Sequence, residues 1–249
     1  LTFIADPAAR LAAAEGGKAD SHYQQSTPLN FDNVEAFAKR NPNKFVYQVV
    51  PQIAPNWYVT GHYTKAPWSD PRVRRALNML MDRATIMKSI HQGLSQVGPH
   101  LAWPAAFDKQ PSLEDLGANY KYDVTAAKQL LSAAGVAQGT EFQLDWYEAG
   151  NNEAILTLYE QMVAQAGIKL KLAKNPDIVT LFQKLQPKTW QDLIITPRGP
   201  AFADIEASPG AFVKGHGANY MDVDDAELNR LYDQIQAAKG DARKAIHKQ

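Results

Sequence analysis

Two short runs hold the side chains best suited to grip something small. In DWYEAGNNEA (145–154) Tyr147 offers an aromatic wall, while Asn151 and Asn152 offer amides that both donate and accept hydrogen bonds. In ITPRGPAFAD (195–204) Arg198 supplies a planar fork of donors that suits a carboxylate or a phosphate, with Phe202 and Asp204 beyond it. The chemistry of such sets is recognition rather than bond-making. Each has a plainer reading beside it: core packing for Tyr147 and Phe202, and a helix cap for Asn152.

No catalytic constellation accompanies them. The six histidines, at 22, 62, 91, 100, 216 and 247, form neither an i, i+4 pair nor a carboxylate-flanked cluster, so no metal is expected. GPAFADIEASPG and KGHGAN lack the spacing of a phosphate loop, and Gly-x-Ser-x-Gly is absent. The carboxylate pairs Glu114-Asp115 and Asp224-Asp225 fall in polar loops or helix starts, where the helix dipole accounts for them. No catalytic residue and no cofactor is expected. An α/β hydrolase of glycosidase type, using two carboxylates that the sequence does not pair, and a stand-alone interaction module stand as the alternative classes.

Both candidate runs follow segments that read as strands. LTFI, KFVYQVV (44–50), NWYVTGHY (56–63), EFQLDWYE (141–148), IKLKLAK (168–174) and DLIITP (192–197) are rich in branched and aromatic residues and are bounded by Pro, Asn or Gly. Helices with start signals lie between them: Asp6-Pro7 before AARLAAAE, Asp123 before AAKQLLSAAG, and Asn152-Glu153 before AILTLYEQMVAQAG, with Gly135 and Gly167 in capping positions. Strand, helix, strand, helix, strand over 141–197 predicts parallel neighbours joined by crossovers, hence an α/β sheet. Ligands of such sheets sit at the carboxyl ends of the strands, where both candidate runs fall. Residues 95–122, with three prolines and no usable period, predict a long irregular excursion that is functional or covering.

The stretch APWSDPRVRRALNMLMDR (66–83) raises a different possibility, a basic grip on nucleic acid. Asp70 and Pro71 start a helix, and Val73, Ala76, Leu77, Leu80 and Met81 form one apolar stripe, which leaves Arg72, Arg74 and Arg75 to face outward. No stacking aromatics interleave with the arginines, and 26 basic against 26 acidic residues give a net charge of zero, so no nucleic-acid partner is expected. The chain has no cysteine, which excludes disulfides and thiolate chemistry. No apolar run approaches the roughly 20 residues of a membrane-spanning helix. LTFIADPAAR has neither an initiator Met nor a signal pattern, and DARKAIHKQ stops inside a helical pattern, so both ends are expected to be cuts in a longer protein.

Four stretches, taken in order, resemble the family 5 extracellular solute-binding proteins, the dipeptide, oligopeptide and nickel binders of ABC importers. They are AARLAAAEGGKAD (8–20), NWYVTGHY with KAPWSDPRVRRALNMLMDRATIM, YKYDVTAAKQLLSAAG (120–135), and the run from ILTLYEQMVAQAGIKLKL to WQDLII (155–195). The resemblance implies a type II periplasmic-binding-protein-like lobe with a mixed β-sheet flanked by helices. Residues 1–249 would be one lobe of a two-lobed clamp, with the N-terminal lobe and the return strands lying outside them. It implies no enzyme. The implied partners are a peptide or other small molecule and the permease subunits of an importer, and the protein is expected to act as a monomer on the periplasmic or extracellular face of a bacterial membrane, with or without a lipid anchor.

One departure from the family pattern bears on the ligand. In the peptide binders that the chain resembles, a carboxylate after the strand matching DLIIT holds the ligand's free amino group; Ala201 occupies that position here. Asp204 keeps the acidic member of the acid-proline pair that follows, Ile205 replaces the proline, and Arg198 appears upstream. A buried ammonium without its carboxylate loses a charge-assisted hydrogen bond worth about 1.5–3 kcal/mol. The expected ligand is therefore not a peptide held by its free N-terminus but an acidic or sugar-derived solute, or a peptide gripped elsewhere; the alternative is that Arg198 faces solvent or pairs with Asp204 while another acid such as Glu148 takes over the amine.

Overall fold

The computed structural model describes residue 4 and residues 6–18, 31–44, 58–93, 107–149, 151–196 and 209–247. Among them the elements run α1 (Pro7–Glu15), α2 (Phe31–Arg40), β1 (Tyr58–Gly61), α3 (Pro71–Met79), α4 (Arg83–Ser89), α5 (Val124–Ala133), β2 (Glu141–Tyr147), α6 (Asn152–Gln165), β3 (Lys169–Asn175), α7 (Ile178–Leu185), β4 (Leu193–Thr196), α8 (Ala226–Ala237) and α9 (Gly240–His247). Most of the strands expected at LTFI and KFVYQVV lies outside the described residues.

Aspartates begin the helices because a carboxylate accepts the free N–H groups of a first turn and meets the positive end of the dipole. Asp6 accepts from Ala9 N at 2.7 Å, Asp70 from Arg72 N at 2.8 Å, Asp123 from Ala126 N at 2.9 Å and Asp177 from Thr180 N at 2.8 Å. Gly135 and Gly167, just past α5 and α6, take φ of 76° and 79°, a left-handed conformation that favours glycine.

The sheet order is β1-β4-β2-β3, with β2 parallel to both β3 and β4 and β1 antiparallel to β4. This mixed, helix-flanked sheet is the expected fold class. On one face Phe142, Leu144 and Trp146 of β2, Leu170 of β3, and Leu193 and Ile195 of β4 are buried against α3, α5 and α6, and form the main core with Val73, Leu77, Leu131, Leu156 and Tyr159. Burying side chains of this size contributes about 1.5–3 kcal/mol each. On the other face Ile194 packs with Leu181 and Leu185 of α7, and with Trp190 and Tyr220.

Helix α3 buries Val73, Ala76 and Leu77, and Leu80 caps it at 0% exposure. It stops at Met79, two residues short of the expected Met81, because Asp82 starts α4 by accepting from Thr85 N at 3.0 Å. Two of its arginines depart from a plain outward face. Arg72 pairs with Asp70 at 2.6 Å and donates to the Ala133 carbonyl at 2.8 Å, tying α3 to the end of α5. Arg74 is half-buried, donates to the Trp68 carbonyl and lies 4.1 Å over the Tyr63 ring. Its aliphatic stem and planar head fit a crevice that the helical period alone assigns to solvent.

The described part of the irregular excursion, residues 107–122, holds turns and a 3-10 turn at Ala118–Tyr120. It is pinned over the α3–α4 corner. Asn78 Nδ2 donates to the Asn119 carbonyl at 2.6 Å, and the Arg83 guanidinium lies 4.8 Å over the Tyr120 ring. Burial lowers the pKa of Arg83 from its ordinary value.

Candidate functional site

The parallel strands β2, β3 and β4 end on one edge, at Tyr147, Asn175 and Thr196. Register places Tyr147 opposite Asn175 and Thr196 opposite Tyr58, the first residue of antiparallel β1, so the edge is continuous across the sheet. Alternation puts these four residues on the α7 face, together with Thr60 and Asp145. That face carries a polar row: Thr60, Asp145, Asn175 and Thr196 are all buried.

Tyr147 is half-buried and packs against the cluster of Leu181, Leu185 and Trp190, with Phe182 beside it. Burial raises its phenol pKa, so the hydroxyl stays protonated at neutral pH and can donate. The core reading of Tyr147 therefore holds in part, since the half-buried ring packs on that cluster. Asn151 stands at the N-cap of α6 without a side-chain capping bond and is half-buried.

Asn152 is 1% exposed, and both ends of its amide are engaged. Its Nδ2 donates to the Tyr147 carbonyl at 2.6 Å and its Oδ1 accepts from Ala149 N at 3.0 Å. It closes the turn behind Tyr147 instead of capping the helix. Arg198, Phe202 and Asp204 lie outside the described residues, as does His100.

Three residues without a place in the sequence reading complete the edge. Asp145, 1% exposed, accepts from the Lys184 ammonium at 2.5 Å and from Asn175 Nδ2 at 3.3 Å, both through Oδ1. Asn175 Nδ2 also donates to the Trp146 and Ala173 carbonyls at 3.1 and 3.3 Å. A signal existed: in EFQLDWY an aspartate interrupts an otherwise apolar or amphipathic strand, which marks a carboxylate that needs a partner once buried. Outside the edge, Lys174 pairs with Glu148 at 2.6 Å and reaches Glu153 at 3.9 Å, and the Glu148 hydrogen bond raises its pKa.

A groove of about 630 Å³ lies at the opposite end of the sheet, between the C-terminus of α7 and residues 214–224. Its charges are matched within the chain, Lys188 with Asp222 and Lys214 with Asp224. The strand-end edge is the candidate site, because it collects the aromatic and amide groups. Among the described residues no group of three His, Asp or Glu could hold a metal ion. No described helix is long and apolar enough to cross a membrane.

A family model described as bacterial extracellular solute-binding proteins, family 5 Middle, matches residues 1–220. Among curated relatives, the heme-binding protein A of Haemophilus influenzae is 29% identical over 142 residues, 57% of this chain and 24% of that protein. The glutathione-binding protein GsiB of Escherichia coli K12 is 26% identical over 176 residues, 68% of this chain and 31% of that protein. Among solved structures, the periplasmic binding protein DppA of Helicobacter pylori in complex with the peptide STSA superposes with a TM-score of 0.75 at 18% identity, over 98% of this chain and 46% of that one. NikA of Brucella suis in complex with Fe(III)-EDTA gives 0.71 at 20% identity, over 100% of this chain and 52% of that one. The chain thus spans about half the length of the solved structures and a quarter to a third of the curated relatives that it matches.

Proposed function

Because the chain belongs to the bacterial extracellular solute-binding proteins of family 5, we propose that residues 1–249 form one ligand-binding lobe of a two-lobed protein that captures a peptide or other small solute and hands it to the permease of an ABC importer. No bond is made or broken in this role. The observation that carries the reading is the common edge at which β2, β3 and β4 end, with an aromatic wall at Tyr147 and a turn locked behind it by Asn152. A second lobe closing on that edge would bury the ligand from both sides and strengthen each polar contact by excluding water.

Tyr147 and Asn151 are the proposed contacts from the first junction, and Arg198, Phe202 and Asp204 those from the second. Asn152 serves the site through the turn that it holds. The named proteins are a heme-binding protein, a glutathione-binding protein, a peptide complex and an Fe(III)-EDTA complex, which supports a small solute and leaves its class open between a peptide and another small molecule. Two features favour a ligand that is not held by a free N-terminal ammonium: Ala201 stands where the peptide binders that the chain resembles carry a carboxylate, and the substitute acid Glu148 is already paired with Lys174. The protein acts as a monomer on the periplasmic or extracellular face of the membrane, lipid-anchored or free, and its neutral net charge gives no reason to expect a nucleic-acid partner.

Intrinsic fluorescence of the full-length protein tests this reading, since Trp146 stands in β2 beside Tyr147 at the proposed edge. Titration with di- to pentapeptides, free and N-acetylated, is expected to give a saturable shift with acetylated and free forms alike, and mass spectrometry should return the ligands unchanged. Turnover of the ligand would overturn the binding role. Tight binding abolished by acetylation would overturn the ligand class alone.

A further inference from the structure

We infer that Lys184 and Asp145 form a latch that docks α7 on the sheet and fixes the backbone presenting Tyr147, which makes both of them positioning residues of the proposed ligand edge; the ligand part of this inference rests on the binding role proposed above. Lys184 lies on the core stripe of α7, flanked at i−3 and i+1 by Leu181 and Leu185, both at 0% exposure. A leucine there would extend the apolar cluster. Instead the lysine keeps 37% side-chain exposure and sends its ammonium inward to a carboxylate that is 1% exposed.

A buried ion pair is often no more stabilising than apolar residues of the same volume, while a buried charge stripped of its partner is strongly destabilising. Such a pair therefore selects one docking geometry and penalises the others. Here the geometry passes directly to the edge. Asp145 Oδ1 also accepts from Asn175 Nδ2, and the same amide donates to the carbonyl of Trp146, the residue before Tyr147. Asn175 ends β3, and Asp177, two residues on, caps α7. The β3–α7 corner is thus held at both ends, by Asn175 at its start and by Lys184 along the helix. The Tyr147 ring rests on the apolar cluster that α7 supplies, so the docking of α7 sets both the backbone and the ring of the proposed wall.

The test compares full-length wild type with Lys184→Met and with the double variant Asp145→Asn/Lys184→Met by thermal melting and by amide hydrogen exchange. Lys184→Met, which leaves the carboxylate alone, is expected to lower Tm. The double variant removes both charges and is expected to recover most of that Tm, yet to keep exchange at residues 145–149 about tenfold faster than wild type while residues 193–196 match it. Its affinity for whichever peptide binds wild type is expected to stay about tenfold weaker. A double variant that matches wild type in exchange at 145–149 overturns the latch, because a pair serving stability alone would be fully replaced. If the double variant does not fold, Lys184→Gln reads the same contrast, and a uniform rise across the sheet, or none, overturns it. Failure of wild type to bind any peptide counts against the proposed ligand class, whereas the exchange comparison still decides the latch.

Discussion

The Tyr159 hydroxyl on α6 donates to the Leu77 carbonyl on α3 at 2.8 Å, joining residues 82 positions apart in the middle of the core. That carbonyl belongs to the last turn of α3, where a helix leaves acceptors without partners. Burial raises the Tyr159 pKa far above its ordinary value, so the phenol is a permanent donor at any working pH. Tyr159→Phe keeps the ring and abandons the buried carbonyl, and is expected to cost about 1–3 kcal/mol. Urea melts with an unchanged slope check it, and a variant as stable as wild type contradicts it.

The apolar stripe of α3 predicts an order of damage. Leu77→Asp places an unpaired charge at a site that is 8% exposed, and is expected to cost several kcal/mol, on the order of 4. Arg74→Ser removes the contact over Tyr63 and is expected to cost about 1 kcal/mol, the worth of a partly buried cation–π contact. Thermal melts in the reverse order would contradict the helix assignment.

Asn152→Ala deletes two hydrogen bonds behind Tyr147 and is expected to cost about 2 kcal/mol, at about 1 kcal/mol for each. If Tyr147 forms the ligand wall, the same variant weakens ligand binding in the full-length protein. Calorimetry and melts on one preparation read both effects, and a stability loss with unaltered affinity would remove Tyr147 from the site.

Acid should loosen two helix starts. Hydrogen bonds from Arg72 hold the Asp70 carboxyl below its ordinary pKa, and hydrogen bonds from Thr180 do the same for Asp177. Because the folded pKa values are depressed, this stabilisation is complete above the unfolded carboxylate pKa of about 3.9 and is lost as pH falls through the folded values. Wild type is expected to lose more Tm between neutral pH and acid below that point than Asp70→Asn/Asp177→Asn, whose caps do not titrate. Equal losses would contradict it.

Much of the fold was legible because local signals agreed with tertiary demands. Asp-Pro starts, the glycines at 135 and 167, and the branched strands at 56–63, 141–148, 168–174 and 192–197 each specify the local structure found. The limits appear where one side chain answers to a distant partner. Arg74 lies off the apolar stripe of α3, yet Tyr63 and the Trp68 carbonyl draw it into a crevice. Asn152 has the composition of a cap, but its amide turns back to Ala149 and Tyr147. Asp145 and Lys184, 39 residues apart, meet only once α7 has packed on the sheet. No local period encodes that pairing.

Calorimetric titration of the full-length protein and of residues 1–249 with the same peptide series tests the two-walled site most directly. A chain that carries one wall is expected to show saturable one-to-one binding in the full-length protein and none, or binding weaker by about a thousandfold, in residues 1–249, as loss of roughly 4 kcal/mol of contacts implies. Equal affinities in the two would place the whole site within these residues and contradict the clamp.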